Sequence, residues 1–270
     1  MKVHYLNCAT LKPRGARLLV PEMSQAPSTC VLVESPGGLI LIDSGFGLRD
    51  MDNPTRLGFS NHLLNAVTDP GHTAIRRIEA LGFDPDGVKD IISTHLDRDH
   101  AGGLSDFPDA RVHVTAIERD AALEPQGHKE RDRYRKCHFE HGPDWVTHEG
   151  TADEKWFGLE CIETGELPGG ILMVPLTGHT RGHCGVAIET DDGWLLHCGD
   201  AFYVVSELYG AGGMSIGLRT FRRIAHCDYP MAMWQLDRIR SAISESGSTI
   251  TLVASHDPGG ARRVQSADRH

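Results

Sequence analysis

The sequence predicts a layered α/β domain built from two β-rich halves, and three observations predict it. Short apolar runs of strand length recur along the chain, with turn residues between them. Two longer stretches keep the spacing of an amphipathic helix. Polar clusters rich in His, Asp and Gly follow four of the predicted strands, as expected where strand ends present a site. A chain of 270 residues with 40% hydrophobic content can bury a sizeable core in one domain.

Taken in order, Cys30–Glu34 and Leu39–Asp43 read as a hairpin around Ser35-Pro36-Gly37-Gly38. Gly45 to Pro70 is polar and irregular and reads as a loop or lid. Thr73 to Leu81 has helical spacing through Ile75, Ile78 and Leu81, and Gly82 ends it. Val88–Thr94 is a buried strand that runs into His95. Val112–Val114 is another strand, followed by a helix from about Ala116 to Leu123. Residues 124–158 break the pattern with charges and aromatics and read as an insertion covering one face. Ile171–Val174, Val186–Ile188 and Trp194–His197 are strands of the second half. Met231 to Ser244 places Met233, Leu236, Ile239 and Ile243 on one helix face. Ile250–Ala254 runs into Ser255-His256, and the polar tail 259–270 is expected to fray.

Composition narrows the function classes. The net charge of −10 argues against nucleic acid as a partner, since phosphate recognition needs clustered Lys and Arg. The seven cysteines are odd in number, irregularly spaced and without a C-x-x-C pair, which fits a reducing compartment better than a disulfide framework. No signal-peptide pattern and no run long enough for a membrane span appears. The expectation is a soluble cytoplasmic protein acting on a small molecule, with no membrane partner; a homodimer is compatible with it.

The chemistry lies in His95-x-Asp97-x-Asp99-His100, Gly178-His179-Thr180-Arg181-Gly182-His183, Gly199-Asp200 and Ser255-His256-Asp257. His and Asp are ligands of zinc-type metals, and Gly102-Gly103 would let the chain pass closely by a metal. As a set, these motifs resemble the metallo-β-lactamase superfamily, whose signature T-H-x-H-x-D-H-x-G-G reads here Thr94-His95-Leu96-Asp97-Arg98-Asp99-His100-Ala101-Gly102-Gly103. The resemblance spans roughly residues 30–257. It implies an αββα sandwich of two mixed sheets flanked by helices, with the site at one edge of both.

Carried over by position, the resemblance implies two divalent metal ions. His95, Asp97 and His179 would hold the first, Asp99, His100 and His256 the second, and Asp200 would bridge them. Such a pair acidifies a bridging water and polarises the scissile carbonyl or phosphoryl oxygen; Asp99 would orient the resulting hydroxide and shuttle its proton. Asp97 departs from the family, which has His there. With two divalent cations, three aspartates and one hydroxide, the charge sums to zero, where the usual pattern leaves one positive charge. A harder oxygen ligand makes Mn or Fe more competitive with Zn, the expected metal.

The family's N-acyl homoserine lactonases carry a Tyr three residues after the bridging Asp, and Tyr203 has that spacing. The resemblance implies a phenol that donates to an oxyanion formed from an ester or lactone; the bland alternative is a packed Tyr. His183 reads as a support for ligands. His128, His138, His141 and His148 read as surface or lid residues, and His113 and His197 as packed or exposed. Arg98 reads as a charge at the pocket mouth or in solvent, and Cys198 as buried packing. The expected activity is hydrolysis of a lactone or related carboxylic ester. The alternatives are thioester or phosphodiester hydrolysis and, from another class, a diiron redox protein of the same fold.

Overall fold

Period-two alternation sorts the strand residues onto two faces. Val31, Val33, Ile40 and Ile42 of the first half meet Met173, Val186, Ile188 and Leu195 of the second in one buried cluster. Cys30, Leu32 and Leu41, one residue out of phase, pack outward against Ala74 and Ile78. Ala187 and Leu196 pack outward on the other side against Leu236 and Ile239. Two sheets therefore pack face to face, and helices cover the outer face of each. This αββα sandwich is the predicted architecture.

The structure is a computed structural model. It describes residues 1–153, 155–165, 167–209, 214–245, 250–260 and 262–264. The first sheet has the strand order β1 (Lys2–Leu11), β2 (Ala26–Ser35), β3 (Gly38–Ile42), β4 (Val88–Ile92), β5 (Arg111–Thr115) and β6 (Asp144–His148). The pairs up to β3 are antiparallel and the rest parallel. The second sheet runs from β12 (Arg262–Val264) through β11 (Ile250–Val253), β10 (Gly193–His197), β9 (Cys184–Thr190) and β8 (Ile171–Pro175) to β7 (Ile162–Glu163). Only its β10–β11 pair is parallel.

The hairpin forms as expected, with Ser35 paired to Gly38. Several elements lie outside the sequence reading. β1 escapes it because Lys2, His4, Asn7 and Thr10 dilute its apolar pattern. The stretch 45–70 contains short helices at Leu48–Asp52, Pro54–Leu57 and Asn61–Leu64. The stretch 124–158 is more than a cover: it holds the helix Gly127–Arg133 and then β6, which extends the first sheet. In the polar tail, Arg262–Val264 pairs with β11, and 265–270 lie outside the described residues. The helix Ile216–Ala225 starts where Ser215 Oγ accepts from Leu218 N–H. The helix Tyr229–Glu245 buries Ala232, Leu236, Ile239 and Ile243 at helical spacing. Among the described residues, no helix is long and apolar enough to cross a membrane.

The Gly102-Gly103 step serves the fold rather than a metal. A Cβ at Gly102 would lie 2.5 Å from Asp50 Oδ2, and one at Gly103 would lie 2.4 Å from the Ser44 carbonyl oxygen. Beyond it, Asp106 accepts from Leu48 N–H at 2.9 Å. Burial pushes its carboxyl up to about 6. A carboxyl raised on folding contributes stability below its unfolded value, and that stability is lost as pH rises through about 6. Asp106→Asn keeps the acceptor and removes the buried charge. It is expected to stabilise the fold by roughly 1 kcal/mol at neutral pH and to flatten the pH dependence of stability between roughly pH 4 and 6. Thermal melts of both proteins across that range check it; parallel curves contradict it.

Candidate metal centre

Four strand ends deliver the candidate ligands to one place. β4 runs into Thr94-His95, β8 leads to His179, β10 leads to Gly199-Asp200, and β11 leads to Ser255-His256. Backbone bonds lock these ends together across the two sheets. Cys184 N–H donates to the Thr94 carbonyl, Thr29 N–H to Ser255, and Ser255 N–H to Gly199. Gly199 has φ +53, and a Cβ there would lie 2.5 Å from His183 Nε2. Only glycine fits this crossing.

All seven expected ligands converge. His95, Asp97 and His179 form one group, Asp99, His100 and His256 a second, and His95, His100 and Asp200 a third, with donor atoms in each within 4.8 Å of one another. Asp97 Oδ2 lies 3.1 Å from His179 Nε2 and 3.5 Å from His95 Nε2. Asp99 Oδ2 lies 3.5 Å from His256 Nε2 and 4.0 Å from His100 Nε2. Asp200 spans the two groups: Oδ1 is 3.4 Å from His100 Nε2, while Oδ2 is 3.4 Å from His179 Nε2 and 3.2 Å from His256 Nε2.

Each ring is aimed by its other nitrogen. Nδ1 of His95 meets Thr94 Oγ1 at 2.9 Å, Nδ1 of His100 meets Asp43 Oδ2 at 2.8 Å, and Nδ1 of His256 meets the Pro27 carbonyl at 2.6 Å. Nδ1 of His179 meets the Tyr203 hydroxyl at 3.2 Å and His226 Nδ1 at 3.1 Å. Four Nε2 atoms therefore face the centre with fixed ring orientation. The fit to divalent ions rests on what is left over. His95 Nε2, His100 Nε2, Asp97 Oδ1 and Asp200 Oδ1 are buried and make no hydrogen bond. Buried polar atoms are rarely left so, and a cation satisfies them.

The electrostatics set the carboxylates and His179 apart from His100 and His256, whose neighbouring aspartates favour the protonated rings against burial. Burial would raise Asp200, but His256, His100 and His179 outweigh it and hold the carboxyl well below the usual range. Asp97 is likewise driven well down against its burial, chiefly by Arg133 and His95. Burial and Arg133 lower His179 to about 4, so its ring stays neutral and able to ligate. Against burial, Asp200 and Asp99 raise His256 to about 9.

Several site residues were not legible in the sequence. Asp43, at φ +56, accepts from Thr94 N–H and Thr94 Oγ–H as well as pairing with His100. Glu118 is fully buried and accepts from Leu96 N–H, Tyr134 O–H, Thr180 Oγ–H and Gly182 N–H. Its spacing from Thr115 suggests a capping box, which hides this role. Arg133, from the helix Gly127–Arg133, donates to Asp97 Oδ2 and, at 2.7 Å, to His179 Nε2. No local signal marks it within a charged segment.

Other sequence expectations change. Arg98 is neither at the mouth nor solvated; it is buried, donating to the Leu57 and Asp132 carbonyls and pairing with the Asp132 carboxylate at 3.1 Å. Asp97 and Arg98 thus pair with Arg133 and Asp132, a reciprocal match between the metal loop and the insertion. His138 is buried and lies 3.0 Å from Asp50 Oδ1, so it is not a surface residue. His148 meets His113 Nδ1 at 2.9 Å. His183 stands outside the three ligand groups; its Nε2 accepts from Asp200 N–H and so steadies the bridging residue. His197 is buried against the Thr29 carbonyl.

The chain resembles known proteins in sequence and fold. A family model described as the metallo-beta-lactamase superfamily matches residues 24–240. A protein of Mycobacterium tuberculosis named as a probable metallo-hydrolase is 37% identical over 259 residues, covering 96% of this chain and 81% of that one. The N-acyl homoserine lactonase AttM of Rhizobium radiobacter is 27% identical over 190 residues, 68% of this chain and 69% of that one. Among solved structures, an N-acyl homoserine lactone hydrolase with N-hexanoyl-L-homoserine at its catalytic metal centre matches with a TM-score of 0.71. At 21% identity over 96% of this chain and 94% of that one, this is a likeness of fold.

Proposed function

The chain belongs to the metallo-β-lactamase superfamily and is a metallo-hydrolase, and from that premise we propose that it is a dinuclear enzyme that opens a lactone or a related carboxylic ester. The observation that carries the proposal is the pair of buried ligand groups spanned by Asp200. His95, Asp97 and His179 would hold one ion and Asp99, His100 and His256 the other. Two ions there supply an acidified water and a Lewis acid for the carbonyl oxygen. Zinc suits the four imidazoles, and the three carboxylates also admit Mn or Fe.

The chain's own residues do the rest. The Asp99 carboxylate accepts the proton released on attack and returns it to the leaving alkoxide oxygen. Asp43 and Thr94 hold the rings of His100 and His95. The lactone class is supported by AttM, which is named a lactonase, and by the spacing of Tyr203 from Asp200. Turnover of lactones, aryl esters, thioesters and phosphodiesters by the metal-loaded protein tests the class. Preference for phosphodiesters over every carboxylic ester would sink it.

Tyr203 is buried, with its hydroxyl committed to His179 Nδ1. With the ring proton on Nδ1, the phenol oxygen accepts from His179; that contact supports a positioning role and leaves the phenol O–H as the donor an oxyanion role needs. Tyr203→Phe is expected to weaken metal binding and turnover together, by about tenfold, as loss of an outer hydrogen bond to a ligand does. A fall of about 100-fold or more in turnover with metal affinity unchanged would instead assign the oxyanion role. Chelator titration beside steady-state kinetics separates the two.

A further inference from the structure

The contact between Arg133 and His179 has a consequence for metal loading. Arginine carries N–H donors and no acceptor, and it stays charged. At the 2.7 Å contact, His179 Nε2 must therefore accept from the Arg133 Nη1–H, with the ring proton on Nδ1 toward Tyr203 and His226. An imidazole nitrogen that accepts offers a single lone pair. That lone pair is the one a metal ion at the first position needs. The same Nη1 also donates to Asp97 Oδ2, the carboxylate oxygen that faces His95 and His179. One guanidinium nitrogen thus holds two of the three donor atoms of the first group. Among the described residues, no Lys or Arg is in an ion pair with Asp99 or Asp200, which pair instead with His100, His179 and His256.

Arg133 is also firmly placed. Its Nη2 donates to the Ala225 carbonyl. Its helix is tied down by Arg98 to Asp132, by Lys129 to the His226 carbonyl, and by Arg181 to Glu130. The Asp at position 97 makes the contact worthwhile, because a carboxylate attracts a guanidinium strongly and a neutral imidazole does not.

We propose that Arg133 is an internal cation that competes with the metal ion for the first position, so that the two positions bind metal with unequal affinity and the helix Gly127–Arg133 sets the weaker one. The inference rests on the reading that these side chains hold two divalent ions. Loading the first position then requires Nη1 to give up His179 Nε2 and to make room for a second cation beside Asp97, while Nη2 can keep Ala225.

The test is withdrawal of Zn(II) from the metal-loaded full chain by a competing chelator, with elemental analysis, for wild type and Arg133→Gln. Wild type is expected to release one equivalent well before the other. Arg133→Gln is expected to hold that weaker equivalent about tenfold or more tightly. The stronger equivalent should shift by less than roughly threefold. Two equivalents with superimposable wild-type and variant curves, or a weaker equivalent that loosens in the variant, overturn the inference alone. If neither protein takes up Zn, Mn or Fe, the two-metal reading falls and the inference with it. Should Arg133→Gln lack the wild-type circular dichroism, Arg133→Lys decides: an ammonium lacks the planar fork that serves Ala225 from Nη2 and both ligand atoms from Nη1. A smaller tightening is then expected, and an unchanged affinity overturns the proposal.

Discussion

Asp200→Ala is expected to lower hydrolytic turnover by about a thousandfold or more, because it removes the group that would bridge the two proposed metal positions. Asp200 Oδ1 faces His100, and Oδ2 faces both His179 and His256, at 3.2–3.4 Å. Alanine would leave each proposed position with three donors and without the bridge between them. Metal content should drop to one equivalent or less by elemental analysis. The fold should survive, since Asp200 is held through its backbone by His183 and the sheet ends are tied through their own amides. Loss of activity with the wild-type circular dichroism is therefore the expected pair of results. Turnover that persists in a metal-stripped Asp200→Ala protein would sink the two-metal mechanism.

Glu118→Ala is expected to be the most destabilising single change near the site, at about 3–5 kcal/mol. Its two carboxylate oxygens take four donors from three segments. Oε1 receives Leu96 N–H at 2.9 Å, next to His95, and Tyr134 O–H at 3.0 Å, next to Arg133. Oε2 receives Thr180 Oγ–H at 2.7 Å and Gly182 N–H at 3.1 Å, beside His179. Alanine strands all four donors in a site with no exposure, and each costs its desolvation. Two candidate ligands, His95 and His179, and the insertion lose their common anchor at once. Glu118→Gln keeps the shape but turns one amide N–H₂ toward two donors, so an intermediate loss of about 1–3 kcal/mol is expected. Thermal or urea unfolding of the three proteins checks the order. A melting temperature for Glu118→Ala within a degree or two of wild type would contradict the anchor.

Comparison of particular residues shows why some of the molecule is legible in one dimension. Val31, Val33, Ile40 and Ile42 alternate with outward residues, so their strands and common face follow from period two. The helix face of Leu236, Ile239 and Ile243 follows from period 3.6 in the same way. β1 and β6 carry too many polar residues for either period to show, and they form because a neighbouring strand offers unpaired backbone groups. Gly102-Gly103 reads as a bend past a metal, yet its tight neighbours are Ser44 and Asp50.

Local pattern yields the strands and helix faces, and short runs such as Thr94–Gly103 and Gly178–His183 carry the family resemblance that implies the αββα class and the seven candidate donors. Only the packed chain settles what surrounds those donors. Arg133 meets Asp97 across 36 residues, His179 across 46, and the Ala225 carbonyl across 92. Asp43 reaches His100 across 57 residues, and Glu118 reaches Leu96 across 22 and Gly182 across 64. No periodicity or spacing encodes such contacts, since each depends on where two separate segments come to rest against the same sheet edge. The unusual carboxylate at position 97 is therefore visible in the sequence, while its answering charge, Arg133, emerges only from the fold.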